Sequence, residues 1–182
     1  MRYESYLNFL LFPFSFLQFK NTALMLASEF GKHEVVEVIL TNYEKLDMDV
    51  KNEYEYTAII LAAENGHKEC VRLLIGHGAD LNLSNKFGKT AVVMAAENGH
   101  YNIVSQLCDS ERSDLNQTSK RGVSALMLAA VKGHTNIVKC LTHHGADIHL
   151  ENNDKVGGFV LILLYIRVCV YIYVYVCVAL SS

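Results

Sequence analysis

The chain of 182 residues contains a single proline, Pro13, and is thin in charge, with 19% charged residues against 51% apolar ones. Between Lys20 and Asn153 there are 13 Lys/Arg and 17 Asp/Glu, a local balance of −4. A mildly acidic body lacks the basic footprint that general nucleic-acid binding needs to neutralise phosphates. Five cysteines occur (Cys70, Cys108, Cys140, Cys169 and Cys177), an odd number with no Cys-x-x-Cys pair. That spacing supports neither a zinc site nor a disulfide framework, and the cysteines read as buried or tail thiols in a reducing compartment. No phosphate-cradling loop is present either, because Gly157-Gly158 is a lone glycine dipeptide. The expectation is a protein without catalytic residues, metal ligands or a cofactor.

What the sequence does contain is one phrase repeated. TAIILAAENGH at Thr57–His67 recurs as TAVVMAAENGH at Thr90–His100, as SALMLAAVKGH at Ser124–His134 and as TALMLASEFGK at Thr22–Lys32. The starting residues Thr22, Thr57, Thr90 and Ser124 lie 35, 33 and 34 positions apart. A period of this length indicates a solenoid of stacked supersecondary units. The same comparison removes Glu64 and His67 as an acid–base pair: Glu64 and Glu97 give way to Val131 in the fourth copy, and Lys32 replaces the histidine in the first.

Each unit reads as helix, tight turn, helix and projecting hairpin. Thr57 is a good N-cap, with a hydroxyl able to accept from an orphan backbone N–H. Ile59, Ile60 and Leu61 supply apolar surface, Ala62 and Ala63 keep the helix slim, and Gly66 ends it in the left-handed conformation. A second helix follows, with Cys70, Val71, Leu73, Leu74 and Ile75 at helical spacing, broken by Gly76 and Gly78. The segment Ala79–Leu83 runs extended into the turn signal Asn85-Lys86-Phe87-Gly88, and Thr90 restarts the cycle.

These residues resemble the ankyrin repeat family. The resemblance rests on the T-A-x-x-x-A-A-x-x-G-H first helices, the x-V-x-x-L second helices and the G-A-D-x-N/H loops at Gly78–Asn82 and Gly145–His149. It covers about 20–153 and implies an all-α ankyrin-repeat solenoid, with a helix-turn-helix plus a β-hairpin loop in each repeat. The repeats divide as 20–53, 54–86, 87–120 and 121–153. The chain departs from the family in its helix openings, which lack the usual T-P-L-H. Proline at the first helical position is dispensable, but apolar Met25, Ile60, Val93 and Met127 remove a Thr–His bond. Lys20 and Glu55 stand where Gly88 and Gly122 sit in later hairpins, which makes the first two hairpins less regular. The Gly-Ala pair is also missing from the first and third inter-repeat loops. The resemblance further implies that His67, His100 and His134 bond loop backbone between neighbouring repeats; one repeat-width apart, they are too far from one another to share an ion. His143-His144 reads as a solvated surface pair.

By the same resemblance, partners are held by hairpin tips and outward positions of the first helices, which together line a concave face. In this chain the tip positions are Glu53, Tyr54 and Tyr56; Lys86, Phe87 and Lys89; and Lys120, Arg121 and Val123. The helices add Glu64–Asn65, Glu97–Asn98 and Val131–Lys132. Tyr54, Tyr56 and Phe87 flanked by charge fit the composition of interface hot spots, while Tyr54 and Phe87 can equally pack hairpin against hairpin. The expectation is a non-catalytic scaffold binding a protein partner, with no enzyme motif in either flank.

The apolar excess sits at the ends. Leu7–Phe19 is too short for a helical span and is interrupted by Pro13. Glu4 and the lack of a cleavage site argue against a signal peptide, so residues 1–19 read as a cap on the first repeat. Phe159–Leu180 is 22 residues, 14 of them Leu, Ile, Val or Phe, long enough for a single C-terminal transmembrane helix that leaves the repeats in the cytoplasm. Against this, VCVYIYVYVCV at Val168–Val178 alternates like a strand, as translated dinucleotide repeats also do. The chain thus reads as a membrane-tethered scaffold, a piece of a larger channel-like ankyrin protein, or a soluble adaptor whose tail has no function.

Overall fold

The computed structural model describes residues 21–43 and 46–157. The N-terminal segment 1–19 and the apolar run Phe159–Leu180 lie outside them. Eight helices occur among the described residues, in four pairs. The first of each pair are α1 (Ala23–Glu29), α3 (Ala58–Glu64), α5 (Ala91–Asn98) and α7 (Ala125–Lys132). The second are α2 (His33–Asn42), α4 (Lys68–Gly76), α6 (Tyr101–Asp109) and α8 (Thr135–His143). First helices stack on first helices and second on second, so the array is two rows thick. None of these helices is long and apolar enough to cross a membrane.

The two rows differ because their sequences do. In the first row nearly every residue is buried, as in Ala58–Ala63 and Ala91–Ala96. Alanine keeps these helices thin, so each can be covered by a neighbour on both sides. The second row buries one stripe per helix: Val36 and Leu40, then Cys70, Val71, Leu73 and Leu74, then Ile103, Val104 and Leu107, then Ile137 and Leu141. Both rows feed one continuous core.

Four of the sequence expectations are corrected by the structure. The hairpins contain no strand among the described residues; their pairing is limited to single antiparallel bridges, Thr118 with Ser124 and Glu151 with Gly157. Glu55 adopts φ +60° and its hairpin closes as regularly as the glycine-containing ones, with Asn52 donating to Tyr56 O at 3.0 Å, as Asn85 does to Lys89 O at 3.0 Å. Gly76 stays inside α4, and the reversal falls at Gly78, φ +94°.

The fourth correction concerns the caps. The Thr22 and Ser124 hydroxyls accept from the Met25 and Met127 N–H at 3.2 and 3.3 Å. Thr57 and Thr90 hold the same backbone position, yet their hydroxyls are buried without a hydrogen-bond partner. Ile60 and Val93, three residues on, offer no polar side-chain atom where the family resemblance places a histidine.

Three ladders of hydrogen bonds tie repeat to repeat, two through side chains and one through the backbone. In the first, His67, His100 and His134 donate from Nε2 to the carbonyls of Glu29, Glu64 and Glu97 at 2.9, 3.0 and 3.3 Å. In the second, Asp49, Asn82 and Asn116 each accept the N–H of the next loop's aspartate (Asp80, Asp114 and Asp147) at 3.1, 2.7 and 2.8 Å. The third joins the hairpins: Lys86 N–H donates to Tyr54 O, Lys120 N–H to Phe87 O and Asn153 N–H to Arg121 O, at 3.0, 2.9 and 3.1 Å.

Candidate functional site

Each hairpin is folded by one side chain at its base. Asn52 Oδ1 accepts the N–H of Tyr54 and Tyr56, both at 2.9 Å. Asn85 Oδ1 accepts from Phe87 and Lys89, both at 3.0 Å. Ser119 Oγ does the same for Arg121 and Val123 at 3.3 and 3.2 Å. Asn152 then builds a hairpin at 152–156, beyond the four repeats, through the N–H of Asp154 and Val156 at 2.9 Å. These bases fix the direction of the tips.

At the tips, Tyr54, Lys86 and Phe87 come together. The Lys86 ammonium lies 3.5 Å from the centre of the Tyr54 ring and 5.2 Å from that of Phe87, a cation–π arrangement across two successive hairpins. Tyr54 remains 39% exposed and Phe87 51%. Tyr54 thus packs against the Lys86 ammonium of the next hairpin, Phe87 lies beside the same ammonium within its own hairpin, and both rings keep exposed surface. Beside them is an open cleft of about 420 Å³, lined by Phe87, Lys89, Glu97, Lys120, Arg121 and Leu128 among others. Lys120 and Arg121 are exposed at its edge and Val123 is half-buried, while Glu53 is exposed on the preceding hairpin.

Other candidates are placed less openly. Tyr56 is half-buried against the core, and burial together with the charge on Glu64 raises its phenol above the ordinary value. Lys89 is turned inward, with its ammonium against the Glu97 carboxylate. Asn98 reaches back to the Glu64 carbonyl at 3.2 Å, the same oxygen that His100 holds. Asn65 bonds the carbonyl of Leu61 at 2.9 Å. Lys132 and Val131 are exposed at the end of α7.

The electrostatics divide along the same line. Lys86, Lys120 and Arg121 make the tips of the second and third hairpins basic, whereas Glu53 and Glu55 stand on the first. Glu29 and Glu64 end α1 and α3, Glu97 is the last residue but one of α5, and the three make the floor acidic. Burial raises Glu64 above the usual carboxylate range, Lys89 opposes that, and Glu29 and Glu97 add to it. Burial likewise raises Glu29.

The recurring histidines tie neighbouring repeats together, as the resemblance implies, but their Nε2 atoms meet carbonyls at the ends of the preceding first helices and not loop backbone. His143 and His144 are both exposed, as expected of a surface pair, and His144 is also held by hydrogen bonds. His144 caps α8, with Nδ1 2.8 Å from the Cys140 carbonyl and Nε2 3.2 Å from Asp109 of the previous repeat.

Sequence reasoning missed the hairpin bases. Their signal was nonetheless present, since Asn52, Asn85, Ser119 and Asn152 recur 33, 34 and 33 positions apart.

A two-row stack of short helix pairs joined by projecting hairpins defines an ankyrin-type repeat array. Residues 3–85 and 77–152 match the family model described as ankyrin repeats (3 copies), and the chain belongs to the ankyrin repeat family. It is similar to the ankyrin repeat domain-containing protein 29 of Danio rerio, 39% identical over 59 residues, which cover 32% of this chain and 20% of that protein. The chain thus matches about a fifth of the length of that curated relative.

Proposed function

We propose that this chain is a non-catalytic scaffold that binds a protein partner across its hairpin tips and the inward ends of its first helices. Repeats 20–53, 54–86, 87–120 and 121–153 form the binding domain. The single observation that carries this reading is the Tyr54–Lys86–Phe87 group, a half-exposed pair of aromatic rings bridged by a cation and continuous with the cleft beside Lys120 and Arg121. Rigid aromatic surface next to basic side chains is what interface anchors are made of. Tyr56, Lys89, Asn65 and Asn98 hold that surface in place, while Lys132 extends it along the last first helix. The test is affinity capture with the full chain as bait, comparing wild type with a Tyr54→Ala/Phe87→Ala variant. The expected result is loss of captured proteins from a variant that keeps its helical circular dichroism. Unchanged capture overturns the reading.

The run Phe159–Leu180 supports a tether to a membrane in the same reading, with the repeats on the cytoplasmic side. Its test is a fusion of residues 155–182 to a soluble reporter followed by alkaline carbonate extraction. Retention in the pellet until detergent is added is expected. Release by carbonate, or a pellet that detergent does not dissolve, removes the tether.

A further inference from the structure

Where the repeats are alike, their side chains bond repeat to repeat; one cluster breaks that regularity. Cys108 closes the core end of α6. Cys140 lies on the buried stripe of α8, and His144 follows it one helical turn later on the same face. One ligand atom from each of Cys108, Cys140 and His144 lies within 4.8 Å of the others, and Cys140 Sγ is 3.9 Å from His144 Nδ1. Where the first repeat meets the second, the corresponding positions are Leu40 of the first and Leu73 and His77 of the second. There the histidine makes the same bond to a helix carbonyl, Nδ1 2.9 Å from Leu73 O, but no sulfur stands beside it. The two thiols therefore add something to the fourth repeat that its end cap does not need.

We propose that Cys108, Cys140 and His144 form a zinc site that clamps the second helices of the third and fourth repeats together, with Asp109 orienting the histidine. Two thiolates and an imidazole are the donor set that zinc prefers over harder cations. Zinc at about 2.3 Å from sulfur and about 2.0 Å from nitrogen sets neighbouring ligand atoms roughly 3.3 to 3.8 Å apart. The three donors need to close by no more than about an ångström. A small rotation of the His144 ring turns Nδ1 from the Cys140 carbonyl towards the sulfur side. Asp109 Oδ1, 3.2 Å from Nε2, then holds the ring with its proton on Nε2 and the Nδ1 lone pair free. A carboxylate behind the ligating histidine is a recurrent outer partner in zinc sites.

Both sulfurs belong to buried free cysteines. A divalent cation takes the place of both protons, and two thiolates then balance its charge beneath apolar cover. His144 stands on the solvent side of the cluster, where the fourth coordination position is open to water and an ion can enter.

The test uses the full chain, stripped with a chelator under reducing conditions and titrated with Co²⁺ as a spectroscopic stand-in for zinc. The expected result is one equivalent binding with a thiolate-to-cobalt charge-transfer band and tetrahedral d–d bands, both bleached by Zn²⁺. Zinc is also expected to protect Cys108 and Cys140 from iodoacetamide, read by peptide mass spectrometry, while leaving Cys70 unaffected. Cys108→Ser or Cys140→Ser removes the bands, and His144→Gln weakens cobalt binding at least tenfold while the exposed position keeps the fold intact. Cys169→Ser/Cys177→Ser retains the bands. The proposal is overturned if the stripped chain gives no charge-transfer band, if the band depends on Cys169 and Cys177, or if His144→Gln binds like wild type.

Discussion

The imidazole of His100 rests on Gly66: a β-carbon added to that glycine would stand 2.7 Å from the ring's Cε1. The same relationship joins Gly31 to His67 and Gly99 to His134. Gly66 also has φ +81°, so an alanine there meets both backbone strain and a ring held by its bond to Glu64. Gly66→Ala is expected to destabilise the array by roughly 2 to 4 kcal/mol. In a His100→Ala background the ring is gone and only the backbone part remains, about 1 to 2 kcal/mol. Urea denaturation of the four proteins in the cycle measures both; equal costs in the two backgrounds disprove the contact.

The unpartnered hydroxyls of Thr57 and Thr90 set up a contrast within one position of the repeat. Thr90→Val replaces a buried hydroxyl that bonds nothing by a methyl group of like size. It is expected to be neutral or to stabilise by about 1 kcal/mol. Ser124→Ala removes a working cap and is expected to cost about 1 kcal/mol. Thermal melts of the two variants side by side check the sign, and a costly Thr90→Val would refute the reading of its hydroxyl.

Glu55 occupies a left-handed conformation that glycine takes at Gly88 and Gly122. Its side chain gains only a long, exposed contact with Lys51 at 3.9 Å. Glu55→Gly is expected to stabilise by about 0.5 to 1 kcal/mol, the relief of strain exceeding the added freedom of the unfolded chain. A shift of the denaturation midpoint to lower urea would contradict it.

Cys70 gives a pH dependence of known sign. Burial, with Glu34 and Glu69 adding, pushes its thiol from 9.0 up to about 11. The folded state keeps the proton that the unfolded chain gives up, so this contribution to stability is complete below about pH 9 and is lost as the pH rises through about 11. Cys70→Val is expected to lower the steepness of the fall in Tm between pH 9 and pH 11 relative to wild type. Parallel curves would show that the thiol does not participate.

How far the sequence carried can be judged residue by residue. The apolar and alanine positions of the first helices were legible because they obey both the helical period and the repeat period, as Ile59 to Ala63 do. His67, His100 and His134 were legible through the family resemblance alone. Asn85 was not, because it was read as one letter of a turn signal. Its function is to accept two backbone N–H groups at once, which appears only when the hairpin is folded. Cys108 and Cys140 lie 32 positions apart, about one unit, but only the packing of α6 on α8 brings their sulfurs and His144 into one cluster. Glu55 was read as irregular because glycine is the preferred residue at its angle, but the neighbouring hairpin bonds are strong enough to hold a glutamate there.

The bonds between repeats constrain how such a chain can change in length. His100 finds Glu64 and Asn82 finds Asp114 only because each lies one unit from its mate. A deletion of 33 residues, the Thr57-to-Thr90 interval, would rejoin every rung to an equivalent partner one storey down. Removing a few residues fewer or more would leave donors facing the wrong groups at the junction, with orphaned polar atoms on both sides. Within the stack, length is therefore quantised: the array tolerates gain or loss of whole storeys far better than fractions of one, whatever the loop residues spell.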